Sequence, residues 1–201
     1  AGLRCRGYTP ESLQLFAERT GVSKAGGWID YSSLDIALRD DLDRKAPRAM
    51  AALDPLKLVL INWDDVIGAG RTEPCDAPLH PAQPERGRRH FSLGPEVWIE
   101  AEDFAEHPPK GYHRMSPPRS FARGSDGKPA EVHAVLIPGT KSGTPGADSV
   151  KTKGVLTWVG AHDGIAAEVR LYDRLFTEAQ PDQAGRDFKA VLNPTSKQVV
   201  Q

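Results

Sequence analysis

The chain has 201 residues, 39% of them hydrophobic and 26% charged, with a formal net charge of −1. That length makes one large domain or two small ones and is enough to bury a core; the near-neutral balance excludes nucleic-acid binding by bulk charge but leaves room for a local basic surface. No apolar run approaches a membrane span, so no membrane partner is expected, and with two distant cysteines (Cys5, Cys75) and no apolar leader in AGLRCRGYTP a reducing cytoplasm is expected.

The first fifty residues read as helical. In GYTPESLQLFAERTG, Thr9 is a good N-cap and Pro10 suits the first helical position, where its missing N–H costs nothing. Leu13, Phe16 and Ala17 share a face, and Gly21 is placed to end the helix in a left-handed conformation. A second helix starts near Ser32, which with Asp35 resembles a capping box; Leu34, Leu38 and Leu42 form its stripe and Pro47 limits it. Between the two lies SKAGGWIDY, a glycine-rich loop carrying Lys24 and Trp28.

After Asp54-Pro55 the apolar period changes to two. LKLVLINW, EVWIE, EVHAVLI, GVLTWV, AEVRLYD and DFKAVL read as short strands, punctuated by glycine and proline as antiparallel turns require. Many short strands predict a barrel or sandwich. The stretch from Arg71 to Arg89 reads as a long proline-rich loop, functional or disordered. ALRDDLD is acidic; PERGRRH and PPKGYHR are basic, and the ordinary reading of either basic run is a solvated face.

Catalytic signatures do not emerge. GTKSG lacks the glycine placement and following helix of a phosphate loop. Cys75, His80 and His90 lack the paired spacing of a zinc site. There is no G-x-S-x-G and no HExxH. His162 and Asp163 sit in AHDG and read as turn residues. The residues point to a binding module.

RGYTPESL, SLDIALRDDL, APRAMAALDPLKLVL, VWIEAEDF, PPKGYHRM, TKSGTPG and KTKGVLTWVG…AEVRLYDRLF occur in one order along nearly the whole chain. In these the chain resembles the C-terminal part of the glutaminyl-tRNA synthetase family of class I aminoacyl-tRNA synthetases. The resemblance implies a mainly β fold: antiparallel β-barrels of the ribosomal-protein-like, anticodon-binding type after a small α-helical segment. It implies a helical linker over residues 1–47 and proximal and distal barrels over 48–201. It also implies a monomer that grips tRNA(Gln) at the anticodon and inner bend. ATP, with Mg, belongs to a preceding catalytic domain, so neither catalytic residues nor a cofactor is expected in these residues. The glutamyl enzyme with the same barrel type and a standalone RNA-binding β-barrel are the alternatives; RLYDRLF and TKSGTP favour the glutamine enzyme.

Sequence-specific RNA readers splay out bases, and the arginine fork pairs with base acceptors such as guanine O6 and N7. By resemblance, Arg48 in APRAM meets the middle anticodon base and Arg114 in KGYHRM the third. Lys110 and His113 flank Arg114 as phosphate contacts, Tyr112 packs in the barrel or stacks on a base, and Lys24 is the phosphate contact of the inner-bend loop. Without the resemblance Arg114 reads as an ordinary surface arginine. Arg170 and Arg174 read as structural, pairing with Glu168 and Asp173. Between Met115 and Gly124 the family carries about a dozen more residues, including a strand that reads the first base; here only SPPRSFAR, residues 116–123, stands, with the shortfall expected near 116–122. An RNA-binding loop is a natural place for residues to be missing, and that reading is favoured over a true deletion. No residue is therefore assigned to the first base, and Ala82 stands where the family commonly has a polar contact.

Overall fold

The computed structural model describes residues 2–22, 24, 26–107, 120–150, 155–185 and 187–200. The chain divides into two compact units. One comprises Ala1–Arg48, His80–Arg86 and Arg170–Val199; the other Ala49–Leu79, Gly87–Val169 and Val200–Gln201.

The first unit begins with helices α1 (Gly2–Cys5), α2 (Pro10–Thr20) and α3 (Ser32–Lys45). α2 starts as its sequence requires. The Thr9 hydroxyl accepts the Ser12 N–H at 3.1 Å while the Ser12 hydroxyl accepts the Thr9 N–H at 3.2 Å, satisfying two donors that the first turn would orphan. Gly21 closes it at φ 67°, ψ −170°, a positive-φ extended geometry rather than the left-handed helical one expected.

The start of α3 differs from expectation. Ser32 is its first helical residue rather than its cap, and the Asp30 carboxylate accepts the Ser32 N–H at 2.8 Å. Asp30 sits two residues before, the spacing of an Asx turn, so it outcompetes the Ser32 hydroxyl for that role. The buried face of α3 is Leu34, Ala37 and Asp41, with Leu38 and Leu42 half-buried beside it. On α2, Leu13 and Phe16 are half-buried, whereas Ala17 is exposed.

One buried carboxylate joins the two helices. Asp41 receives the Thr9 hydroxyl at 2.6 Å and the Lys45 ammonium at 2.6 Å, and Lys45 reaches on to Glu11 at 3.0 Å. The hydrogen bond from Lys45, then that from Thr9, holds the Asp41 carboxyl below the usual carboxylate range.

The second unit holds β1 (Pro55–Leu60), α4 (Trp63–Val66), β2 (Glu73–Pro78), β3 (Arg88–Leu93), β4 (Glu96–Glu100), β5 (Ser120–Arg123), β6 (Pro129–Ala134) and β7 (Trp158–Gly160). Strands β8 (Val169–Tyr172) and β9 (Lys197–Val200) pair as a separate ribbon. The mainly β reading with a small helical segment holds.

The main sheet has the order β5-β6-β1-β4-β7. It is mixed: β1 runs antiparallel to β4 but parallel to β6. A parallel pair needs a long crossover rather than a hairpin, and here most of the second unit lies between the two strands.

Alternation builds the core. Leu56 lies opposite Ile99, and Leu58 opposite both Val97 and Val132. These five residues form a buried cluster, with Ile99 and Val132 fully enclosed. Phe104, Phe121 and Trp158 pack against them. Each aliphatic side chain taken out of water contributes about 1.5–3 kcal/mol. One residue out of phase, Lys57 presents its ammonium to Glu96 at 2.8 Å and Glu131 at 3.6 Å.

Two further expectations change. The Arg71–Arg89 stretch is a loop only between Pro78 and Arg88, where it holds a 3-10 turn at Pro84–Arg86; on either side β2 and β3 pair antiparallel from Glu73↔Leu93 to Pro78↔Arg88. Pro74 and Pro78 stand on a two-stranded ribbon, whose outer sides need no N–H donors, while Pro81 and Pro84 lie in the connection between its strands. DFKAVL forms no strand; Phe188–Val191 is a 3-10 helix, started by the Asp187 carboxylate accepting the Lys189 N–H at 3.0 Å. A local cap two residues away won over the weak β pattern.

The AHDG segment is a turn, as read. Asp163 accepts the Ser92 N–H at 3.1 Å, and Gly164 donates to the Gly160 carbonyl at 2.9 Å. A Cβ at Gly160 would meet the Asp163 carboxylate, so a side chain there would have to displace the group that accepts the Ser92 N–H.

Candidate nucleic-acid interface

Arg48 stands just past the end of α3, where the chain leaves the helix. Ala46 closes the helix through its N–H on the Leu42 carbonyl at 2.8 Å, and Pro47 cannot continue it. From there the Arg48 guanidinium turns back onto Asp43. Nη2 donates to the carboxylate at 2.5 Å and lies 3.5 Å from the carbonyl oxygen of the same residue. The arginine side chain is 44% exposed. A cation at a helix C-terminus also meets the negative end of the helix dipole.

The last carbonyls of α3 have no partners within the helix. Here side chains from one segment, His80–Arg86, supply them. His80 Nε2 bonds the Asp43 carbonyl at 2.7 Å, Gln83 Nε2 donates to Arg44 at 3.0 Å, and Arg86 Nη1 donates to Lys45 at 2.8 Å. His80 is only 3% exposed. Three consecutive carbonyls are thus satisfied by residues spaced three apart on one turn of chain.

Sequence reasoning missed this clamp. Its only signal was H-P-x-Q-P-x-R, polar donors at fixed spacing between prolines that hold the segment rigid.

The basic run PERGRRH is consumed within the protein. Arg86 caps α3, Arg88 pairs with Asp76, and the Arg89 guanidinium lies 5.4 Å over the Phe91 ring. The Arg88 pairing holds the Asp76 carboxyl below its usual range. Cys75 directs its thiol to the Glu73 carbonyl at 3.6 Å. Among the described residues no group of three His, Cys, Asp or Glu could hold a metal ion.

Lys24 is exposed in the loop between α2 and α3, near Trp28 at 72% exposure and Ile29 at 52%. Arg114, Lys110 and His113, with Tyr112, lie outside the described residues. The structure therefore does not bring Arg48 and Arg114 together or separate them. Arg123, at the end of β5, grips Glu106 through 2.6 and 2.8 Å contacts and the Gly127 carbonyl at 2.7 Å, a structural assignment.

Near α1 a small cleft of about 180 Å³ is lined by Arg6, Tyr31, Asp35, Tyr172 and Arg174. The Arg6 guanidinium lies 5.6 Å over Tyr31 and 5.3 Å over Tyr172. Its Nη1 donates to the Tyr31 hydroxyl at 2.9 Å and its Nη2 to the Asp173 carbonyl. Tyr8 donates its hydroxyl to Asp35; burial first, then that bond, pushes its pKa up. Asp173 also receives the Arg174 N–H at 2.7 Å and the Asn193 amide at 3.4 Å. This network ties β8 to the N-terminal helices.

The described residues thus hold Arg48 at a helix end whose last carbonyls are capped by His80, Gln83 and Arg86. Residues 46–131 and again 155–201 match families described as tRNA synthetases class I (E and Q), anti-codon binding domain. The chain belongs to this family of anticodon-binding domains.

Similar proteins agree with it. The chain is 55% identical to Glutamine--tRNA ligase of Ralstonia nicotianae over 99% of its length and 36% of that protein's. Identity is 54% to the Glutamine--tRNA ligase of Cupriavidus metallidurans and 52% to that of Bordetella pertussis, again covering 36% of each. The chain thus spans about a third of the length of the relatives it matches. The alignments run over 212 or 213 positions against 201 residues, so the relatives carry residues that this chain lacks.

Proposed function

We propose that this chain reads the anticodon of tRNA(Gln) as the anticodon-binding part of a glutamine–tRNA ligase. The observation that carries the reading is the ordered match to both anticodon-binding families, joined to more than half identity with relatives named for the glutamine enzyme. The family description also covers the glutamate enzyme, which is the second reading.

In the proposed assignment Arg48 pairs with the middle base and Arg114 with the third. Lys110 and His113 neutralise flanking phosphates, and Lys24 meets the backbone at the inner bend. Asp43 orients the Arg48 fork before RNA arrives, which lowers the entropy lost on binding. Glutamine activation with ATP and Mg belongs to residues outside this chain. The protein would act as a cytoplasmic monomer. Among the described residues no helix is long and apolar enough to cross a membrane.

Titration of the chain with tRNA(Gln), with tRNA(Glu) and with a tRNA(Gln) variant at the middle anticodon base tests the proposal. Salt-sensitive binding that is tightest for unmodified-sequence tRNA(Gln) is expected. Equal affinity for all three would reduce the chain to a phosphate-binding surface, and preference for tRNA(Glu) would move it to the glutamate enzyme.

A further inference from the structure

We infer that His80 is a positioning residue for anticodon discrimination, acting through Asp43 on Arg48. The inference rests on Arg48 being the reader of the middle base.

The geometry runs in one chain of contacts. Ala82 donates its N–H to His80 Nδ1 at 3.2 Å, so that nitrogen is an acceptor and the ring proton sits on Nε2. Nε2 then donates to the Asp43 carbonyl at 2.7 Å. Asp43 in turn holds Arg48 through its carboxylate at 2.5 Å, with its carbonyl 3.5 Å from the same guanidinium nitrogen. One residue therefore receives the imidazole on its backbone and the arginine on its side chain.

The imidazole is almost fully buried, whereas Asp43 and Arg48 are exposed, with side-chain exposures of 69% and 44%. An exposed ion pair alone is a loose restraint. Anchoring the Asp43 backbone to a buried ring makes it a fixed one, because the last turn of a helix otherwise frays. Gln83 and Arg86 bond the neighbouring carbonyls of Arg44 and Lys45, so His80 is the member of the clamp that touches the residue holding the reader. The demand for a fork held within a fraction of an ångström is what separates base readout from phosphate contact.

Two conservative variants separate this role from general stability. His80→Asn keeps a polar atom at the Nδ1 position for the Ala82 N–H but cannot reach Asp43. His80→Gln reaches the Asp43 carbonyl with its amide. Affinities are measured for tRNA(Gln) and for its middle-base variant, beside Arg48→Ala. His80→Asn is expected to narrow the ratio of the two affinities by about tenfold through weaker binding of tRNA(Gln) alone, and His80→Gln to keep it, since a good base contact discriminates on that scale. Equal behaviour of the two variants, or parallel loss for both tRNAs, overturns the positioning role while a lost ratio in Arg48→Ala leaves the reader intact. An undiminished ratio in Arg48→Ala removes the reader and the inference with it. The unaltered protein gives an independent check by nitrogen NMR of the His80 ring. The Nε2–H tautomer is expected, and an Nδ1–H tautomer would break the link to Asp43 whatever the variants do.

Discussion

Thr9 and Asp41 share a single hydrogen between two helices. The Thr9 hydroxyl donates to the Asp41 carboxylate at 2.6 Å and, through its lone pairs, accepts the Ser12 N–H that starts α2. One side chain thus caps its own helix and docks the next. Replacing it with valine, nearly equal in shape, removes both bonds. A loss of about 1–2 kcal/mol is expected, with Thr9→Ser close to the parent. Urea unfolding followed by circular dichroism measures it; an unchanged midpoint for Thr9→Val would show that the cap carries no weight.

The same carboxylate makes the helix pair sensitive to pH in a known direction. Its folded pKa lies below its ordinary value, so its contribution is complete above the ordinary carboxylate range and is lost as pH falls through the lowered folded value. Glu11, lowered first by its backbone bond and then by Lys45, adds with the same sign. Lys45 runs the other way: raised first by Asp41, its contribution is present below the ordinary lysine range and fades as pH rises through the raised value. Thermal midpoints across pH are expected to fall at both extremes, and Asp41→Asn to flatten the acid limb. An acid limb as steep in Asp41→Asn as in the parent would place the titrating group elsewhere.

Ile99 is fully buried opposite Leu56 at the centre of the five-stranded sheet. Ile99→Ala opens a cavity that neighbours on three strands cannot fill, and a loss of about 2–5 kcal/mol is expected. The exposed Ile61 offers a control, since substitution there leaves no cavity. Chemical denaturation of both variants decides it; similar midpoints would mean that the sheet interior collapses around the gap.

Arg114→Ala is expected to weaken tRNA binding by roughly 1–3 kcal/mol and to relax choice at one anticodon base, the cost of a lost paired contact. Arg114→Lys should not restore it, because an ammonium lacks the planar fork. Comparing affinities over a set of third-base variants tests this. Uniform weakening across the set identifies a phosphate contact instead.

Local chemistry determined much of this molecule. Thr9-Pro10 started a helix, and the alternation in LKLVL and EVWIE placed Leu56, Leu58, Val97 and Ile99 on one side, because capping and period-two burial need only neighbouring residues. The ordered motifs from RGYTPESL to RLYDRLF carried the family, and with it the expected role of Arg48. What the residue order could not express was who meets whom across long separations. Asp41 reads as one more acid in ALRDDLD until Thr9, 32 residues away, buries it. His80 reads as a stray imidazole in a proline-rich stretch until it meets the carbonyl of Asp43, 37 residues distant. Partners of this kind are chosen by desolvation: a buried polar atom must find whatever donor or acceptor the fold brings within reach, and only the assembled chain decides which one that is.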